Sequence, residues 1–267
     1  MFNAVGIPSL QAGEDVNIMR AALFVSSPLE LLRACVGYQK SGKNILLRAR
    51  KQGKPQQRNV LMQSDDPLAI PLWINGHAYL TLAPAFLDVR NPASGEVLRR
   101  TPLCGAGEVK QAVVAATDAL PAWAAQPSVA RAALLAKVGE AVSAYAGHLA
   151  QLIVEESGKD GALAAAEVAD AVALLRSAPT GDVSAVLAIV GNAQAPLLSS
   201  LRLAVPALMA GSTVVIRPSP ETPSAIFALA ELTGRCGFPG GVFNILQGGD
   251  VAVDALRAAA GVSLLIA

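Results

Sequence analysis

Histidine is almost missing from this chain. His77 and His148 are the only two in 267 residues, too few for a multi-histidine metal centre. Cysteine is nearly as sparse: Cys35, Cys104 and Cys236 are scattered without paired spacing. That pattern offers neither a disulfide framework nor a zinc site, and it fits a reducing compartment, the cytoplasm. An excess of charge of either sign is also lacking. The formal net charge is +1, so nothing pulls the chain as a whole toward nucleic acid or an anionic membrane. The first apolar run, Ala21 to Val25, follows Glu14-Asp15 and is cut short by Ser26-Ser27-Pro28. It is too short to span a bilayer and makes a poor secretory signal. Finally, no G-x-G-x-x-G follows any strand-like run, so the usual dinucleotide fingerprint is absent.

What is present is apolar: 53% hydrophobic residues against 15% charged ones, the composition of a well-packed helical or α/β protein. The charge is unevenly spread. Residues 1–61 carry nine Lys/Arg and three Asp/Glu, whereas residues 62–267 carry twelve and seventeen. These are two kinds of sequence, a poorly defined basic extension (1–61) and a folded part (62–267). Within the extension, Gly37-Tyr38-Gln39-Lys40-Ser41-Gly42-Lys43-Asn44 is a near miss to the phosphate-binding loop G-x-x-x-x-G-K-[ST]. Asn44 stands where a magnesium-holding hydroxyl is required, and the stretch reads as a basic surface turn.

In the folded part, Leu72 to Leu80 holds two short strand-like runs around Asn75-Gly76, a hairpin signal. His77 reads as a polar hairpin residue, since nothing nearby would complete a site. Phe86 to Val89 is a further strand, followed by a turn at Asn91–Gly95. Then comes an Ala-rich helical part (105–178). Helices are predicted over Gly107–Trp123, after a Ser128 cap, over Leu149–Glu156, and from Asp160 through Arg176. Their Leu and Val residues and Trp123 are read as core.

The last part (184–267) alternates. Strands are predicted at Ala185–Val190, Thr213–Ile216, Val242–Leu246 and Val262–Ile266, with helices at Pro196–Ala210, Thr222–Cys236 and Asp250–Ala259. Such alternation predicts an α/β fold with a doubly wound parallel sheet and right-handed crossovers. Val214 to Ile216 is apolar without interruption, as suits a strand buried on both faces. The turn after it lies at the carboxyl edge of the sheet, where open α/β sheets bind ligands, so a site should include Arg217 to Glu221.

From about Leu72 onward the chain resembles the amino-terminal, cofactor-binding portion of the aldehyde dehydrogenase superfamily. The pieces that carry the resemblance occur in order: Asn91-Pro-Ala-Ser-Gly-Glu-Val97, Pro121-Ala-Trp-Ala124 and Val154-Glu-Glu-Ser-Gly-Lys159. They continue with Pro206-Ala-Leu-Met-Ala-Gly-Ser-Thr-Val-Val-Ile-Arg-Pro218 and Gly237-Phe-Pro-Gly-Gly-Val-Phe-Asn-Ile245. The resemblance implies a Rossmann-like domain that binds NAD or NADP, with Ala193, Gln194, Arg217, Ser219, Glu221 and Gly248 as cofactor-binding positions. It also implies chemistry in which a thiolate attacks an aldehyde, hydride passes to the nicotinamide and a thioester is released.

Four departures from the family pattern set further expectations. The chain stops at Ile266-Ala267, ahead of the family's general-base Glu and nucleophilic Cys, and none of its own cysteines matches that nucleophile. No catalytic residue is therefore expected, and no dehydrogenase activity from the chain alone. Ala193 and Gln194 stand in the family's Trp-Asn loop, which removes an aromatic wall and moves the oxyanion amide about 1.5 Å outward. In the family's Lys-Pro-Ser/Ala-Glu turn, Arg217 keeps a phosphate handle, while Pro220 replaces the ribose acceptor and Glu221 is an imperfect substitute. Arg176 to Val183 leads almost directly into the next strand, without the inserted strands of the family's oligomerisation hairpin. Two alternatives stand beside an inactive relative. One is half of a split enzyme completed by a partner chain. The other is a binding or scaffold module that uses an exposed strand edge to meet a partner protein.

Overall fold

The Asn75-Gly76 pair turns the chain back on itself as predicted. Both residues take positive φ, 54° and 77°, as a type I′ hairpin turn requires. They join β1 (Leu72–Ile74) to β2 (His77–Tyr79), with Leu72 opposite Tyr79. The structure, a computed structural model, describes residues 67–181 and 184–267. The basic extension 1–61, including Gly37–Asn44 and Cys35, lies outside the described residues.

β3 (Phe86–Arg90) and β4 (Val97–Pro102) form a separate antiparallel ribbon around the Asn91–Gly95 turn. Asn91 Oδ1 accepts from the amides of Ala93 and Ser94 at 2.9 and 3.3 Å, so one side chain shapes the turn. Sequence pattern assigns no strand to β4, because Arg99 and Arg100 break the apolar alternation. The structure explains the break at Arg99, which pairs with Glu156 at 2.9 Å and Glu155 at 3.4 Å.

Four helices follow: α1 (Ala106–Ala124), α2 (Ser128–Ala144), α3 (Ala146–Ser157) and α4 (Gly161–Ser177). Asp160 opens α4 as expected, accepting from the amides of Ala162 and Leu163 at 2.8 and 3.4 Å. Ser128 does not cap α2. It is the first helical residue, and Pro127 holds the cap position without a side-chain cap. The α1–α2 connection is instead tied by buried Arg131, whose guanidinium donates to the carbonyls of Ala124 and Gln126.

The alternating part gives β5 (Val186–Val190), α5 (Leu198–Ala210), β6 (Thr213–Arg217) and α6 (Ser224–Cys236), then β7 (Phe243–Ile245), α7 (Asp250–Ala258) and β8 (Val262–Ile266). The six-stranded sheet has the order β2-β1-β7-β6-β5-β8, and β5 to β8 are all parallel. The doubly wound parallel sheet is thus as predicted. The hairpin, however, does not merely precede it: β1 pairs antiparallel to β7 through Trp73 and Ile245, which makes the hairpin one edge of the sheet. Asn244 fixes that junction, accepting from the Asn75 amide at 3.1 Å and donating to the carbonyls of Gly241 and Val214.

Val186, Ala188 and Val215 face a core shared with Val109, Ala112 and Ala116 of α1 and Ala252 and Leu256 of α7. The opposite face packs on α5 and α6, outside which lie α2, α3 and α4. The carboxyl end of α5 is closed by the helical part: Trp123 Nε1 donates to the Leu208 carbonyl at 3.1 Å, and Arg131 Nη2 donates to that of Met209 at 2.8 Å. Trp123 is fully buried, as expected of core. No helix among the described residues is long and apolar enough to cross a membrane.

Candidate functional site

From β5 the sheet is built outward through β6 and β7 on one side, and by β8 on the other. The strand order therefore reverses beside β5, and open α/β sheets bind ligands at the carboxyl ends of the strands at such a point. Three loops border this edge, after β5, β6 and β7. They contain all six residues singled out from the sequence.

The β5 loop begins at Gly191, whose amide donates to the Arg217 carbonyl at 2.8 Å. A Cβ at Gly191 would lie 2.6 Å from Ser200 Oγ, so a larger residue there would push the Ser200 hydroxyl of α5 aside. Asn192 Oδ1 accepts from the amides of Gln194 and Ala195 at 3.0 and 2.9 Å, and Asn192 Nδ2 donates to the Ala267 carbonyl at 3.0 Å. Asn192 is thus spent on shaping the loop. Ala193 is half-buried and Gln194 exposed at its tip.

The β6 turn begins with Arg217, the last residue of the strand. The residue is buried at 8% exposure, and its Nε has no hydrogen-bond partner among the described residues. Burial pulls the guanidinium pKa down, against the attraction of Asp250 at the start of α7. A buried cation with an unmet donor is costly unless an anion meets it, which is the chemistry of a phosphate site. Ser219 is buried; its Oγ accepts from the Glu221 amide at 3.4 Å, and its carbonyl from the Thr222 amide at 3.1 Å. Glu221 is exposed. The Pro220 carbonyl accepts from Thr101 Oγ1 of β4 at 2.7 Å.

After β7, Gly248 is buried, and a Cβ there would lie 2.6 Å from that of Ala252. Gly249 then holds the cap position of α7, and among the described residues no side chain accepts from the first amides of that helix.

The other two crossover helices are sealed. Glu167 Oε1 accepts from the amides of Leu197 and Leu198 at 2.9 and 3.1 Å, and its carboxylate pairs with Lys159. Glu156 accepts from the Ser224 amide at 3.0 Å, from the Ser224 hydroxyl and from Arg99. Burial pushes the Glu156 carboxyl up, while Arg99 and Ser224 pull it down. These caps, with the Thr222–Ser219 bond in the β6 turn, accompany starts of α5 and α6 two residues later than predicted. Sequence reasoning missed both carboxylates as site supports. Glu156 and Lys159 did lie within the Val154–Lys159 piece, a signal without an assigned role.

Both described cysteines are free and buried. Cys104 is buried, and burial, with Glu108 adding to it, pushes its thiol up to about 12. Cys236 is buried at the end of α6, as expected of a small hydrophobe; burial raises its thiol pKa despite Lys137.

The doubly wound sheet, with buried Arg217 at its carboxyl edge, is of the α/β class that carries ligand sites at this edge. The aldehyde dehydrogenase family model matches residues 81–185 and 176–266. The chain is similar to lactaldehyde dehydrogenase of Escherichia coli, 31% identical over 204 residues, which are 68% of this chain and 43% of that protein. It is also similar to N-succinylglutamate 5-semialdehyde dehydrogenase of Klebsiella pneumoniae, 33% identical over 220 residues, covering 73% and 44%. The crystal structure of the E. coli lactaldehyde dehydrogenase superposes with a TM-score of 0.71 at 29% identity, covering 75% of this chain and 47% of that one. The chain belongs to the aldehyde dehydrogenase family. It spans less than half the length of the curated relatives it matches.

Proposed function

We propose that residues 67–267 form the dinucleotide-binding portion of an aldehyde-oxidising enzyme of this family, with NADP or NAD as ligand. The observation that carries the proposal is Arg217, buried at the carboxyl edge of the sheet with Nε unpartnered among the described residues, beside the first turn of α7. A phosphate fits this donor set. Pro220 offers no side-chain acceptor to a ribose hydroxyl, and its carbonyl is already committed to Thr101. The site therefore favours the phosphorylated ribose of NADP over that of NAD. Gly191 and Gly248 let the backbone lie close beneath the ligand, and Ala193 and Gln194 border its far end. When bound, the nicotinamide accepts a hydride. The described residues supply binding and orientation only, because Cys104 and Cys236 are both buried thiols. The nucleophilic thiol of aldehyde oxidation must come from outside them. In the test, thermal unfolding is followed with each dinucleotide, and aldehyde-dependent reduction is assayed in wild type and in a C104A/C236A variant. The expected result is a larger upward shift with NADP, and no turnover that depends on Cys104 or Cys236. Turnover lost in the double variant would contradict the proposal.

A second reading concerns β8. It is the outer strand of the sheet, and Leu265 and Ile266 are 36% and 74% exposed. Apolar side chains on an uncovered strand edge favour coverage by further polypeptide, as a split enzyme or an interaction module would provide. Co-expression with the catalytic portion of a relative should then yield a stable complex; a chain that stays monomeric at high concentration and binds no such portion argues against it.

A further inference from the structure

We propose that Thr101 and Glu156 are positioning residues of the dinucleotide site, and that the β3–β4 ribbon acts as a strut on the turn from Arg217 to Ser224. The inference rests on the reading of that turn as the ribose and phosphate site. Arg99 and Thr101 are two residues apart on β4 and so project to the same face of the ribbon. Thr101, fully buried, donates its hydroxyl to the Pro220 carbonyl at 2.7 Å. Arg99 donates to Glu156 at 2.9 Å, and Glu156 in turn takes the amide and hydroxyl of Ser224, the first residue of α6. The turn is thereby pinned near its middle and at its far end by groups that reach neither Arg217 nor any ligand. Its near end is held by the sheet, since the Arg217 carbonyl accepts from Gly191.

Between these pins the chain has little freedom. Pro218, Pro220 and Pro223 restrict φ, and the Thr222 amide closes back on the Ser219 carbonyl. What remains to be set is the tilt of the turn against the sheet, and the Thr101–Pro220 bond sets it. A site whose supporting residues are locked before the ligand arrives loses less freedom on binding. Among the described residues the ribbon forms its own two-stranded sheet, without a ladder to the six-stranded one. Bracing the turn gives its inward-facing Arg99 and Thr101 a role.

The test uses the full chain and titration with NADP. Thr101→Val removes the hydroxyl at nearly the same shape, and Thr101→Ser keeps it. T101V is expected to weaken NADP binding about tenfold while T101S binds as wild type does. Hydrogen exchange should quicken at the amides of Glu221 and Thr222 in T101V and stay unchanged in β6. A T101V chain with a loosened turn and unaltered affinity would overturn the inference, as would a T101S chain weakened as much as T101V. Should T101V not fold, Glu156→Gln breaks the ion pair with Arg99 but leaves an acceptor for Ser224. It is expected to weaken NADP binding severalfold, and unaltered affinity there counts equally against the role. Wild type is titrated first: no binding at millimolar NADP removes the functional reading itself, whereas binding that the variants leave intact removes only the strut.

Discussion

Helices α5, α6 and α7 all leave the same edge of the sheet, yet their first turns meet different surroundings. At α5 the leading amides are taken by Glu167, and at α6 by Glu156, both buried carboxylates sent in from the helical part. At α7 no side chain of the described residues caps the turn, and Arg217 lies close enough to feel the charge of Asp250. Every helix start carries unpaired amides and a partial positive charge, so each is an anion site in principle. In this molecule two of the three are filled from within. On the proposed reading, the place left for an anionic ligand is beside Arg217 and α7.

The largest effect should come from opening a sealed helix. Glu156→Ala leaves Arg99 and the Ser224 amide without their buried partner, and breaking such a pair costs about 3–5 kcal/mol. Urea unfolding would read it; a loss below about 1 kcal/mol would mean that the seal is dispensable.

A second buried carboxylate, Glu231 of α6, lacks such support, since its Oε2 has no partner and burial lifts its pKa to about 7 from 4.5. A carboxyl raised in the folded state favours folding while protonated. Stability should thus be greatest below about pH 4.5, fall as pH rises to about 7, and stay level above, a change of about 3 kcal/mol at most. Glu231→Gln should flatten this slope, raising stability at pH 8 and leaving it unchanged at pH 4. An unchanged slope in the variant would place the titration elsewhere.

On the open side the balance reverses. Arg217→Met should lower NADP affinity by about 2 kcal/mol, roughly thirtyfold, and NAD affinity much less. It should not destabilise the ligand-free protein, because it removes a buried cation with an unmet donor. A loss of stability would show that Arg217 is a structural residue. Smallest is Asp250→Asn, which removes an acidic residue from the first turn of α7 at a cost of about 0.5 kcal/mol. It should strengthen NADP binding severalfold by titration; weaker binding would show that Asp250 holds Arg217 in place.

The two sides also differ in how far they could be read from the chain. β5 to β7 were legible because strands walled in by helices and neighbours leave short apolar runs between helical ones, and β8 because its run is apolar although it lies at the sheet edge. Arg217 lies at the carboxyl end of β6, as read from the sequence, because a turn after such a strand has only one edge to occupy. β4 was not legible: its arginines are explained by carboxylates on α3, remote in sequence. The hairpin was read as a hairpin, but its seat against β7 depends on Trp73, Ile245 and an Asn75–Asn244 bond between residues 169 apart. Glu156 and Glu167 escaped notice for the same reason. A cap supplied by another layer has no local pattern, whereas Asp160, which caps its own helix, was found.

The central claim is that the open side of the edge receives the phosphorylated ribose of a dinucleotide. Calorimetric titration of the full chain with NADP and with NAD, at one ionic strength, tests it most directly. The two ligands differ only in the 2′-phosphate that Arg217 would meet. The account predicts binding of both, with NADP the tighter by at least about tenfold. Equal affinities, or heat from neither ligand, would contradict it.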